Sequence, residues 1–228
     1  MNNIQQSKVI ITGATGMIGK GVLLECLDHE SIDKVLSVGR NSVKINHPKL
    51  KELIHEDFSD FSSVKEKLKD CDACFFCLGI SAAGLSEEQY RKITYDYTLS
   101  LAQTLLDLNT DMTFNYVSGQ GTDSSEKGRV MWARVKGKTE NDLLKLGFKQ
   151  AYMFRPGAII PLRGIKSRTK SYQFMYDYFM WLVKLIKAIS PNSVVNTTQI
   201  GLAMINSMFK GYDKKVLHPK DINLLSNK

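Results

Sequence analysis

The stretch that decides the fold is Lys8-Val9-Ile10-Ile11-Thr12-Gly13-Ala14-Thr15-Gly16-Met17-Ile18-Gly19. Its β-branched run, 8–12, predicts a strand. Beyond the glycines, Ile18, Val22, Leu23, Cys26 and Leu27 recur at helical spacing and predict a helix over 17–30. A strand that turns through glycines into a helix is the setting in which backbone can approach a phosphate. Gly13 permits the tight turn, Gly16 lets backbone reach a pyrophosphate, and Gly19 lets the helix pack closely on the sheet. The helix start adds free N–H groups and a partial positive charge. The stretch therefore predicts a dinucleotide site.

Outward from it, strand and helix signals alternate. Strands are predicted at 34–38, more weakly at 53–55, and at 73–78, with a short helix opened by Ser62 over 62–69. A long helix over 86–108 begins at Ser86, with Glu87 and Glu88 in its first turn. Thr113–Val117 reads as a strand, 132–146 as a helix and 151–154 as a strand stopped by Arg155-Pro156-Gly157. Later segments are a helix over 172–189, a helix capped by Thr197 or Thr198 that runs to Phe209, and a last strand at 215–217. The pattern predicts an α/β fold, a doubly wound parallel sheet of the Rossmann type with a small, mainly helical C-terminal extension. One domain over 1–228 is expected, with 160–228 on its substrate side.

Composition narrows the class. With 43% hydrophobic and 24% charged residues among 228, disorder and a disulfide-framework miniprotein are excluded. Four cysteines read as reduced thiols. Residues 1–150 carry 19 basic and 20 acidic side chains and residues 151–228 carry 12 and 3, so the net charge of +8 sits in the C-terminal third. No signal-peptide core precedes the first strand and no apolar run approaches the roughly 20 residues of a membrane span. A cytoplasmic location is the expectation.

The glycine spacing, in the form Thr12-Gly13-Ala14-Thr15-Gly16, resembles that of the short-chain dehydrogenase/reductase superfamily, particularly its atypical members. Val38-Gly39-Arg40 looks like the family's end of strand two, and Asp57-Phe58 like its adenine-contacting pair. Cys77-Leu78-Gly79 falls where these folds pass the cofactor ribose, and Arg155-Pro156-Gly157 matches the strand-six exit. Lys136-Gly137 lies where the family's Tyr-x-x-x-Lys is expected. The resemblance covers roughly residues 8–160 and is nearest to the Tat-interacting-protein-like, NAD(P)H-binding, epimerase/dehydratase-type branch. It implies that Gly13, Thr15, Gly16, Met17, Ile18, Gly19, Arg40, Asp57, Phe58, Cys77, Leu78, Gly79, Lys136, Arg155, Pro156 and Gly157 hold the cofactor.

NAD-selective sites place an acid at the end of strand two, whereas Arg40 stands here with no acid between Lys34 and Glu52. A guanidinium can grip a 2′-phosphate bidentately, so NADP(H) is expected over NAD(H). In the resembling family a tyrosine donates the substrate proton, a lysine lowers its pKa and holds the ribose, and a serine polarises the carbonyl. Here Lys136 and Ser118 occupy matching positions, but the residue four before Lys136 is Trp132. An indole does not titrate near neutral pH and cannot replace the tyrosine as acid. Two readings stand. The first is an oxidoreductase acting on a small carbonyl or alcohol, with Tyr95 or Tyr97 or a water relay supplying the proton. The second is a non-catalytic NADP(H)-binding redox sensor or interaction protein.

Cys71, Cys74 and Cys77 recur every three residues, but on a strand Cys74 and Cys77 point to opposite faces, which speaks against a metal site. The helix 172–189, with Phe174, Tyr178, Trp181, Leu182, Leu185 and Ile189, suits a lid, a dimer face or a membrane-surface helix. Basic residues within 163–170 suit an anionic ligand. The expected partner beyond the dinucleotide is an anionic or hydrophobic small molecule. A homodimer stays open, and nucleic acid, which only charge supports, is not expected.

Overall fold

The computed structural model describes residues 7–165 and 193–228. Strands β1 (Ser7–Thr12), β2 (Ile32–Gly39), β3 (Leu50–Ile54), β4 (Ala73–Phe76), β5 (Thr113–Val117), β6 (Gln150–Phe154) and β9 (Val216–Leu217) form one parallel sheet in the order β3-β2-β1-β4-β5-β6-β9. Helices α1 (Met17–Asp28), α2 (Glu87–Arg91), α3 (Tyr97–Leu108), α4 (Met131–Lys145), α5 (Thr197–Lys210) and α6 (Pro219–Ser226) cover its faces. A parallel sheet is buried on both sides, which is why its central strands read as continuous apolar runs. Alternation divides them. Val9, Ile11, Phe75, Tyr152 and Phe154 face a core with α1, α5 and α6. Ile10, Cys74, Phe76, Phe114 and Met153 face the opposite core, with α3 and Leu143 of α4. Each such fully buried side chain contributes roughly 1.5–3 kcal/mol.

Several expectations need correction. The single helix over 86–108 is interrupted by a π-helical turn, Lys92–Asp96, between α2 and α3. Tyr90 before it, Thr94 within it and Leu101 beyond it are buried. Residues Ser62–Leu68 form a 3-10 helix. Neither threonine caps α5. Asn196 does, accepting from the Gln199 N–H at 2.8 Å, while Thr197 accepts from the Leu162 N–H and Thr198 donates to Glu25. Two short strands, β7 (Ala158–Ile160) and β8 (Val194–Asn196), pair in parallel as a second sheet. The helix expected over 172–189 and most of the basic run after Arg163 lie outside the described residues.

The strand order reverses between β1 and β4, and ligands of such sheets bind beyond the carboxyl ends of the strands at that reversal. The two exits are tied together. The Leu78 N–H donates to Thr12 Oγ1 at 3.2 Å.

Candidate functional site

A crevice of about 480 Å³ opens at this reversal. Its floor is the β1–α1 loop, one wall is the end of β2, and the other is formed by residues 77–81 with Val117, Ser118 and Lys136. Gly13 takes φ +66°, a left-handed conformation, and any side chain on it would meet the Cys77 carbonyl at 2.5 Å. Gly16 donates to the Gly13 carbonyl at 2.8 Å. Across the turn, a methyl on Gly19 would overlap the Gly13 carbonyl, so α1 can lie this close only with glycine there.

Helix α1 starts at Gly16 with no side-chain cap and no acid in its first turn. Its first-turn N–H groups and the positive end of its dipole lie at the crevice floor, the arrangement that holds phosphate. The loop thus fits a dinucleotide pyrophosphate. Arg40 is exposed on the crevice wall and makes no ion pair among the described residues. Glu52, the first acid after Arg40 along the chain, is occupied. Its carboxylate accepts from Ser42 Oγ at 2.8 Å and the Val43 N–H at 2.6 Å. Phe58, buried against Phe61 and Tyr97, presents part of its ring to the crevice.

At the other end Lys136 reaches from α4 to the exit of β5. Its ammonium donates to the Ser118 carbonyl at 2.5 Å and, more weakly, to the Val117 carbonyl at 3.4 Å. It sits 5.9 Å from the Tyr116 ring centre. Burial pulls its pKa down to about 8, against a smaller opposing pull from Glu140. The Ser118 hydroxyl donates to the Phe154 carbonyl at 3.1 Å, so it must turn before it can polarise a carbonyl. Burial pushes the Cys77 thiol, also on the wall, up to about 12.

The crevice therefore unites Gly13, Thr15, Gly16, Met17, Ile18, Arg40, Phe58, Cys77, Leu78, Gly79, Ser118 and Lys136. Gly19 supports it from behind. Other expected residues lie elsewhere. The Asp57 carboxylate turns to Ser59, accepting from its N–H and hydroxyl, which holds it below the usual carboxylate range. Arg155 is not a crevice residue. It forms a buried ion pair with Glu140 through Nε and Nη2 and also donates to Ser124 Oγ. Pro156 accepts from the Gln120 N–H, and Gly157 packs against Gln120 and Ser193, so both brace the loop after β5.

The tyrosines are misplaced for proton transfer to a ligand in the crevice. Tyr95 donates to Asp142 at 2.8 Å in a separate groove beside Arg91, Arg134 and Lys138. Tyr97 is half-buried and packs its ring at a tilt against Phe58, at the edge of the core on that face. Trp132 leans its ring over Gly121 instead of lining the crevice. Residues not anticipated are Ser37, Asn41, Ile80 and Ser81 on the walls, and Glu140 behind Lys136. The wall residues adjoin strand ends already singled out. Glu140 carried one available signal, an acid four residues beyond a lysine on the same helix.

The sequence profile of the NAD dependent epimerase/dehydratase family matches residues 9–125. The mitochondrial protein FMP52 of Meyerozyma guilliermondii is 26% identical over 182 residues, covering 79% of this chain and 75% of that protein. Protein HTATIP2 of Rattus norvegicus is 28% identical over 159 residues, covering 69% and 64%. Among solved structures, the Bordetella bronchiseptica enzyme WbmF in complex with NAD+ superposes with a TM-score of 0.70 at 13% identity, covering 99% of this chain and 79% of that one. The expectation of a cytoplasmic location is overturned by relatives named as mitochondrial, FMP52 proteins of several fungi among them. Among the described residues no helix is long and apolar enough to cross a membrane.

Proposed function

Because the chain belongs to the NAD dependent epimerase/dehydratase family, as an atypical short-chain dehydrogenase/reductase of the Tat-interacting-protein-like branch, we propose that it is an NADP(H)-dependent oxidoreductase acting on a small carbonyl or alcohol. A nicotinamide dinucleotide supplies hydride chemistry when bound. The observation that carries the reading is the convergence, in one crevice, of the glycine cradle, Arg40, Ser118 and Lys136. The N–H groups at the start of α1 hold the pyrophosphate. Arg40, with Glu52 spent on the neighbouring loop, is available to a 2′-phosphate. Phe58 packs against the adenine, Lys136 holds the ribose on the nicotinamide side, and Ser118 orients the substrate oxygen. The mitochondrial names of the fungal relatives carry over to a mitochondrial rather than cytoplasmic location.

Titration of wild type and Arg40→Ala with NADPH and NADH tests the cofactor assignment. The expected result is tighter NADPH binding that falls to the NADH level in the variant. Equal affinities, unmoved by the substitution, refute it. One observation favours the second reading, a dinucleotide-binding sensor: no tyrosine lines the crevice among the described residues. Stoichiometric NADPH binding without consumption across aldehydes, ketones and quinones selects that reading.

A further inference from the structure

We propose that Lys136 is itself the acid of the reaction, delivering a proton from its ammonium to the substrate oxygen where a tyrosine hydroxyl is missing. This rests on the oxidoreductase reading above. Few groups lining the crevice among the described residues carry a proton that could serve. The Arg40 guanidinium stands on the β2 wall, across the crevice from Ser118 and Lys136. Burial holds the Cys77 thiol far above neutrality, and the Ser118 hydroxyl is engaged by Phe154. Tyr116 lies beneath Lys136 with its own hydroxyl driven up by burial, and Tyr95 and Tyr97 face away.

Lys136 is placed for the task. An ammonium has three N–H donors, and two are aimed at the Ser118 and Val117 carbonyls. The third, with the one that the weak Val117 contact can release, remains for ligands in the crevice: the ribose and the substrate oxygen that Ser118 would orient. The surroundings also leave the amine free to exchange. The carboxylate nearest along α4 is Glu140, and Glu140 is bound by Arg155 from β6 through both guanidinium nitrogens facing it. The Arg155–Glu140 pair thereby withholds the counter-ion that would lock Lys136 in its charged form. From β5 the lysine meets the Tyr116 ring, beyond which lies Tyr90 of α2, and from the β4 exit the wall carrying Cys77. No carboxylate in that set bonds to Nζ. A buried, unpaired ammonium titrates low, here to about 8, and an acid is most effective when its pKa lies near the working pH.

The step balances. In reduction, a hydride from the reduced nicotinamide dinucleotide forms the new C–H bond and the C=O π pair moves to oxygen. Oxygen then takes a proton from Lys136 Nζ, and the neutral amine recovers one from water. Oxidation of the alcohol runs the same transfers backward, with the neutral amine as base.

Two measurements on the full chain test this. The first needs no turnover: the rate of trinitrophenylation of Lys136, followed by peptide mass spectrometry across pH. Half-maximal labelling near 8, well below that of the surface lysines, is expected. Labelling of Lys136 in step with surface lysines overturns the proposal and leaves the oxidoreductase reading standing. The second is single-turnover NADPH oxidation against a panel of aldehydes and ketones by wild type, Lys136→Arg and Lys136→Met. Wild type is expected to lose rate as pH rises through the lysine titration. Lys136→Arg, which keeps the charge but cannot release the proton, is compared with wild type at saturating NADPH. Its rate should fall by about 10²-fold or more. Wild-type rate and pH profile in Lys136→Arg overturn the proposal alone. NADPH binding with no turnover by wild type overturns the oxidoreductase reading and the proposal with it.

Discussion

Replacing Arg155 with methionine asks whether this arginine belongs to the fold or to the cofactor. The Glu140 side chain is 1% exposed, and it accepts from Arg155 Nε at 3.0 and 3.1 Å as well as from Nη2. Removing the guanidinium leaves that carboxylate inside the protein without the cation it bonds, and breaking such a buried pair costs about 3–5 kcal/mol. In a chain of this length each kcal/mol moves the transition by about 2–4 °C, so Tm should fall by roughly 6–20 °C. The assay is thermal unfolding by circular dichroism, joined to NADPH titration well below the transition. Cofactor affinity of the folded variant should stay within about threefold of wild type. The double variant Arg155→Met/Glu140→Met should recover much of the loss, because an apolar replacement of a buried ion pair is often neutral or stabilising. An unchanged Tm with cofactor affinity weakened by about tenfold or more would refute the reasoning and return Arg155 to the crevice.

Further outcomes follow from the same geometry. Gly19→Ala drives a methyl into the Gly13 carbonyl, so it should destabilise by about 1–3 kcal/mol and abolish measurable dinucleotide binding, read by urea unfolding and cofactor fluorescence. Lys136 sheds its proton near pH 8 when folded but near 10.5 when unfolded, so its contribution to stability rises with pH across that window, by about 3 kcal/mol. Lys136→Met should flatten this limb and raise the urea midpoint at neutral pH; identical pH profiles in the two proteins would contradict the buried ammonium. Asn196→Ala removes the acceptor that caps α5 and should cost about 1 kcal/mol in urea unfolding, whereas Thr198→Ala should leave the cap intact.

The sheet was legible because buried parallel strands must be apolar throughout, and 73–78 or Thr113–Val117 can be little else. The glycine cradle was legible because its requirements are local. Gly13 and Gly19 are dictated by a turn and a close approach within one strand–helix unit. What escaped depends on partners distant in sequence or on very short elements. β7 and β8 have three residues each and stabilise one another across a long separation. α6 does carry a local signal, Pro219 at its start and Asp221 closing a box with His218, but it is a short one. Arg155 matched a strand-exit pattern, but its side chain follows Glu140, and no pattern in the strand states which way a guanidinium turns. The tyrosines failed for a related reason: Tyr95 and Tyr97, two residues apart on helical backbone, face apart, and only partners distant in sequence, Asp142 and Phe58, show to which side each turns.

The bare start of α1 bears on how long the protein survives as well as on what it binds. The leading N–H groups of a helix take side chains, water or ligands as partners, and those of α5 take Asn196. α1 forgoes that internal partner, so part of its stability is lent by whatever anion occupies the loop. Ligand at a hundredfold excess over its dissociation constant adds about 2.7 kcal/mol to the folded state. A difference of that size changes several-fold how much of a protein escapes proteolysis in a cell. The abundance of the chain should therefore track the supply of its nucleotide, falling when the pool is depleted even though synthesis is unchanged.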